Sequence, residues 1–129
     1  MLDSIPMIGG ARLTPLPKDV LPSTMEVREP VADDEHGGSY SAPKTIANVR
    51  LIRQTELTAA TSGGAQGGYL IEDDASGTVI IDASSSAGAY EVPERSLVSI
   101  DGGEEMEVVR VRRFDHFDGS CHHWEVSVR

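Results

Sequence analysis

The stretch Ser96-Leu97-Val98-Ser99-Ile100-Asp101-Gly102-Gly103-Glu104-Glu105-Met106-Glu107-Val108-Val109-Arg110-Val111-Arg112-Arg113 decides the fold class. Two runs rich in Val, Ile and Leu, Ser96 to Ile100 and Glu105 to Arg113, flank Asp101-Gly102-Gly103. Asp-Gly between such runs is one of the stronger hairpin signals, because a tight strand-joining turn demands positive φ and glycine adopts it without strain. The stretch therefore predicts two antiparallel strands.

Working outward, Asp115 to Ser120 reads as the next turn and His122 to Arg129 as a closing strand. Alternation puts Trp124, Val126 and Val128 on one face and His123, Glu125, Ser127 and Arg129 on the other. Trp124, the single tryptophan, is thereby the expected core anchor. Toward the N-terminus, Met25, Val27 and Val31 alternate with Glu26 and Arg28 in a half-buried strand starting near Thr24. Ala32 to Pro43 is a polar loop. Thr45 to Thr58 reads as a second strand, with Val49 and Leu51 alternating against Arg50 and Ile52, while Thr55 to Ala60 also suits a short helical turn. Tyr69 to Glu72 and Thr78 to Ala83 are short β runs with Asp73 to Gly77 as a turn between them, and Ser84 to Gly88 is a small-residue connection. Six or seven short strands with regular turn signals predict an all-β chain, a small antiparallel β-barrel or sandwich with long loops. There is neither an internal repeat nor a second domain, so residues 22–129 form one unit.

Residues 1–21 differ. Pro6, Pro15, Pro17 and Gly9-Gly10 resist helix and cannot complete sheet ladders, which predicts an extended N-terminal arm. Its Leu2, Ile5, Met7, Ile8, Leu13 and Leu16 fit packing on a neighbouring subunit; a frayed terminus is the alternative. The segment Thr61, Ser62, Gly63, Gly64, Ala65, Gln66, Gly67 and Gly68 has no side chain to anchor it in a core, and its four glycines raise the entropy that ordering must overcome. It reads as a flexible loop and a candidate lumen-facing or gating element, against the plainer reading of a tolerant surface loop.

Composition narrows the function. The 129 residues suit one domain that buries roughly two-thirds of its unfolded surface, and an apolar share of 39%, below the usual ~45–50%, implies a thin core. Acidic residues outnumber basic ones 21 to 11, for a formal charge of −10, which disfavours tight binding to nucleic-acid phosphates. Such a surface still suits a wall along which DNA slides. The start Met-Leu-Asp-Ser-Ile-Pro lacks the basic and apolar regions of a signal peptide, and the single Cys121 allows no internal disulfide, so synthesis in a cytosol is expected. No run approaches the ~20 apolar residues of a membrane helix.

Candidate chemistry is sparse. Asp115, His116, Asp118, Cys121, His122 and His123 include good zinc ligands, but alternation is expected to send His122 and His123 to opposite faces, and no Cys-x-x-Cys or His-x-x-x-His supplies the remaining ligands. The same alternation opposes a Cys-His nucleophile. The Asp33-Asp34-Glu35, Asp73-Asp74 and Glu104-Glu105 pairs sit in glycine-flanked turns, where water keeps carboxylates ordinary. Gly63 to Gly68 lacks the Lys-Ser/Thr of a phosphate loop. Arg110, Arg112 and Arg113, near Glu105 and Glu107, point to cross-strand or intersubunit ion pairs over nucleic-acid contact. No catalytic residue, cofactor or metal site is assigned.

One collinear set of segments remains: Leu21-Pro22-Ser23-Thr24, Ile46-Ala47-Asn48-Val49-Arg50, Thr78-Val79-Ile80-Ile81-Asp82-Ala83, Asp101-Gly102 followed by Glu107-Val108-Val109-Arg110-Val111, and His122-His123-Trp124-Glu125-Val126. Over about residues 21–129 this order resembles the phage minor capsid proteins that serve as head-completion or stopper rings in the head-tail connector of long-tailed bacteriophages. The resemblance implies a non-enzymatic virion protein forming a homo-oligomeric ring, with a portal-adaptor ring on the head side and a tail terminator or tail tube on the other. It would let DNA pass without sequence-specific binding, touch no membrane, and be made in the bacterial host's cytoplasm. The arm, the glycine-rich loop and the acidity depart from the pattern and leave the ring size and the DNA-blocking element open. The competing readings are a tail-terminator or adaptor ring of the same neck and, outside that class, a small metal-binding β-domain using the Asp115 to His123 cluster.

Overall fold

The computed structural model describes residues 13–31, 39–54 and 75–129. Six antiparallel strands, β1 (Ser23–Arg28), β2 (Lys44–Arg53), β3 (Gly77–Asp82), β4 (Leu97–Ile100), β5 (Met106–Asp115) and β6 (Cys121–Val128), close into a barrel in the order β1-β2-β3-β6-β5-β4. β4 pairs back onto β1, Met25 opposite Ile100 and Arg28 opposite Leu97, so among the described strands each has a neighbour on both sides. The expected barrel, with six strands, is the observed architecture.

The hairpin that opened the sequence reading joins β4 to β5. Asp101 and Gly102 take φ of 52° and 75°, as a primed turn requires, and the Gly103 amide closes it on the Ile100 carbonyl at 2.9 Å. The turn is also tied to β1. Asp101 Oδ1 accepts from the Thr24 amide at 2.9 Å, and this bond, with one from Ser23, holds the carboxyl below its ordinary range.

Alternation places the core as expected on β6: Trp124, Val126 and Val128 point inward with Met25, Val27, Ile46, Val49, Val79, Ile81, Val98 and Val108, and Val92 of the β3–β4 connection closes the set. Two expectations need correction. Val31 is not on the core face, because β1 stops at Arg28 and Val31 lies 40% exposed beyond it. β2 does not alternate simply either. Asn48 adopts φ 57°, and the pairing with β1 shifts between Ser23 (opposite Val49) and Thr24 (opposite Ala47), so Asn48 is the extra residue of a β-bulge. Its side-chain amide donates to the Leu21 carbonyl at 3.1 Å. Past the bulge the expected alternation holds: Val49 and Leu51 face the interior and Arg50 and Ile52 the outside, where Ile52 is buried with Leu21 and Ile80, with Leu16 packed against them, in a second small cluster.

That second cluster explains β3, which is buried along its whole length. Val79 and Ile81 face the barrel interior, while Ile80 faces outward beneath Leu16 and Leu21. The described part of the arm therefore packs across the outside of its own barrel. The Tyr69 to Glu72 run and Thr61 to Gly68 lie outside the described residues, as does everything in β2's expected extension beyond Gln54.

Candidate functional site

The dense polar cluster of the sequence lies at the β5–β6 turn, and the structure separates its members. Asp115 pairs with Arg113 at 2.6 Å, and Asp118 Oδ1 accepts from the Ser120 hydroxyl at 2.6 Å and its amide at 3.0 Å, as a short acidic side chain does in a turn. Cys121 Sγ contacts the His123 carbonyl at 3.6 Å. Burial is the largest influence on this thiol and pushes its pKa up, only partly offset by Arg113. A protonated thiol is a poor nucleophile.

The histidines do meet, contrary to the alternation argument. Phe114 pairs with His123 but Asp115 pairs with Cys121, so β6 carries one extra residue, His122, in a bulge. A bulge brings consecutive side chains to one side. His122 Nδ1 and His123 Nδ1 lie 2.9 Å apart, His116 packs edge-on against His122 with ring centres 5.1 Å apart, and Phe114 stacks flat on His123 at 4.6 Å. Among the described residues no group of three or more His, Cys, Asp or Glu has the arrangement to hold a metal ion.

What these rings hold instead is the arm. His116 Nδ1 accepts from the Leu13 amide at 2.8 Å, and His122 Nε2 donates to the Thr14 carbonyl at 2.8 Å. From β3, Asp82 Oδ2 accepts from the Leu16 amide at 2.9 Å, and the Ser85 hydroxyl donates to the Leu16 carbonyl. Four side chains thus satisfy the backbone of a segment that belongs to no sheet. Asp82, fully buried, also accepts at Oδ1 from the Ser84 and Ser85 amides, both at 2.8 Å. Its side chain fixes the β3–β4 connection and the arm together. Sequence reading missed Asp82; the available signal was an Asp ending an apolar strand before Ser84-Ser85-Ser86, a turn-forming arrangement.

β5 carries the basic run, which forms a cross-strand ion pair and another within its own strand. Arg112 reaches across to Glu125 on β6 at 3.1 Å and Arg113 turns to Asp115, while Glu105 binds Arg28 at 2.8 Å and Glu107 binds Arg129 at 3.0 Å. A further polar knot, also missed in the sequence, joins the end of β1 to the β3–β4 connection: the Tyr90 hydroxyl donates to Glu29 Oε2 at 2.6 Å, and Lys44 binds the same oxygen at 2.9 Å. The Tyr90 bond, then Lys44, lowers the Glu29 pKa; burial, then Glu29, raises that of Tyr90. Trp124 is the anchor that alternation predicted, its Nε1 donating to Glu91 at 3.1 Å. The candidate gating residues 61–68 lie outside the described residues.

The polar side chains described here bond one another and hold backbone in place. In a comparison with protein families, a model described as minor capsid protein matches residues 17–128. The chain belongs to that minor capsid protein family. It is accordingly a structural component of the phage particle, and its place is the virion. No curated protein and no solved structure matches the chain significantly. No helix among the described residues is long and apolar enough to cross a membrane.

Proposed function

We propose that this minor capsid protein is a head-tail connector subunit of the stopper or head-completion type, assembled as a homo-oligomeric ring between the portal-adaptor ring and the tail, where it helps retain packaged DNA and later releases it. The observation that carries the reading is the closed six-stranded barrel in a chain of this family, bearing a charge of −10. A closed barrel resists uncontrolled pairing and leaves turns and the arm for specific contacts, and a ring built from one repeated heterologous contact closes on itself. The acidic balance repels phosphate and so keeps passing DNA from sticking. Segment 61–68, four of whose eight residues are glycine, is the proposed lumen-facing element. With no Lys or Arg in it, its closure on DNA would be steric.

Electron microscopy of particles from a strain lacking the gene tests this. The reading expects heads, DNA-filled or leaking, separated from complete tails. Full heads bearing adaptor rings with unterminated, overlong tails would instead favour the tail-terminator role, and intact infectious virions would refute both.

A further inference from the structure

We propose that the seat of the arm is a proton-operated latch, in which His116 holds the Leu13 end of residues 13–16 on the barrel while neutral and lets it go when protonated. The inference follows from counting protons on the hydrogen bonds. His116 Nδ1 faces the Leu13 amide at 2.8 Å; an amide only donates, so Nδ1 must offer its lone pair and the ring must be neutral. His122 Nε2 faces the Thr14 carbonyl at 2.8 Å and must carry a hydrogen. Its Nδ1 faces His123 Nδ1 at 2.9 Å, and His123 Nε2 faces Glu125 Oε2 at 3.2 Å. The His122–His123 contact needs one hydrogen between the two Nδ1 atoms, and either ring can carry it while His122 keeps its Nε2 hydrogen on Thr14; that contact lies within β6 and does not involve the arm.

Docking therefore excludes a second proton from His116 alone. A proton on His116 Nδ1 would set two N–H groups against each other at Leu13, whereas a second proton on His122 leaves its Nε2–H bond to the Thr14 carbonyl in place. The nearby acidic groups are already engaged. Glu125 is shared by Arg112 and His123, Asp115 by Arg113, Asp118 by Ser120, and Asp82 by three backbone amides; Cys121 is a neutral thiol. None turns a carboxylate toward His116 to reward its protonation. The arm itself is built to leave: beyond Leu16 it runs through a short 3-10 turn, Lys18–Val20, with no buried residue, before Leu21 anchors the chain.

The sign is fixed by linkage. The docked state binds fewer protons than the released state, so docking is strongest at neutral pH and weakens as pH falls through the range, about 5 to 8, in which imidazoles charge. The excluded proton weakens docking by up to about tenfold per pH unit. Amide hydrogen exchange by NMR on the full-length protein, with rates corrected for the intrinsic effect of pH, reads this directly. Protection of the Leu13 amide should fall about tenfold between pH 7.5 and 5.5 while the Val79 and Val126 amides of the barrel keep theirs. His116→Asn retains an acceptor at the Nδ1 position and does not titrate, so it should keep the arm protected throughout; His122→Gln keeps a donor at Nε2 and should show the wild-type fall. Arm protection that ignores pH, that falls only together with the barrel, that falls as steeply in His116→Asn, or that stops falling in His122→Gln overturns the proposal.

Discussion

Replacing Trp124 by alanine tests the inward register of β6 most severely. Trp124 is 7% exposed, lies opposite Ile81 on β3 and Arg113 on β5, and donates to Glu91. An aromatic side chain of this kind buries about 150–250 Å²; removing most of that at about 25 cal/mol per Å² loses about 4 kcal/mol, within the 3–5 kcal/mol typical of aromatic truncation in a core. For a domain of this size 1 kcal/mol moves Tm by about 3–5 °C, so Trp124→Ala should melt about 12–20 °C below wild type, or fail to fold if the starting stability lies at the low end of the ordinary 5–15 kcal/mol. Trp124→Phe keeps one ring and loses the N–H to Glu91, and should cost about half as much or less. Circular dichroism melts of the three proteins provide the assay. An alanine variant melting within about 2 °C of wild type would show that the β6 register and the core assignment are wrong.

Gly88→Ala should be far worse than Gly102→Ala although both glycines have positive φ, because an added Cβ at Gly88 falls 2.6 Å from the Thr45 carbonyl oxygen and at Gly102 meets nothing; urea unfolding should show a loss of more than about 2 kcal/mol for the first and about 1 for the second. Glu29 has its pKa lowered by Tyr90 and Lys44, so it stabilises above the ordinary carboxyl value of 4.5 and that contribution is lost as pH falls through the lowered value. Glu29→Gln should therefore be less stable than wild type at neutral pH, with the gap in urea midpoint closing in acid, and ultraviolet titration should find Tyr90 ionising at lower pH in the variant. A chelator should leave Tm unchanged, since the histidines hold the arm and not a metal; a drop of several degrees would show a ligand-linked site.

Features of the fold specified by neighbours in sequence were legible. Asp101-Gly102 encodes its turn by backbone preference alone, and β6 encodes its inward face by alternation. Features arising from the third dimension were not. The bulge at His122 breaks the period of two that alternation assumes, and for that reason the two histidines were placed apart; Ile52 keeps its expected outward face but is buried there by Leu16 and Leu21. Ile80 and Asp82 gain their roles from an arm more than sixty residues away in sequence, and no local pattern announces that partner. The histidine cluster was conspicuous for its composition, yet its meaning lay in the Leu13 and Thr14 backbone, which composition does not show.

The central claim, that this minor capsid protein forms the ring at the head-tail junction, is tested most directly by electron cryomicroscopy of the neck of intact virions. The account predicts a cyclic ring of six-stranded barrels between the adaptor and the tail, with β4 closing on β1 in each copy and segment 61–68 toward the channel. Density for this barrel in the capsid shell or at the distal end of the tail, with none at the neck, would contradict it.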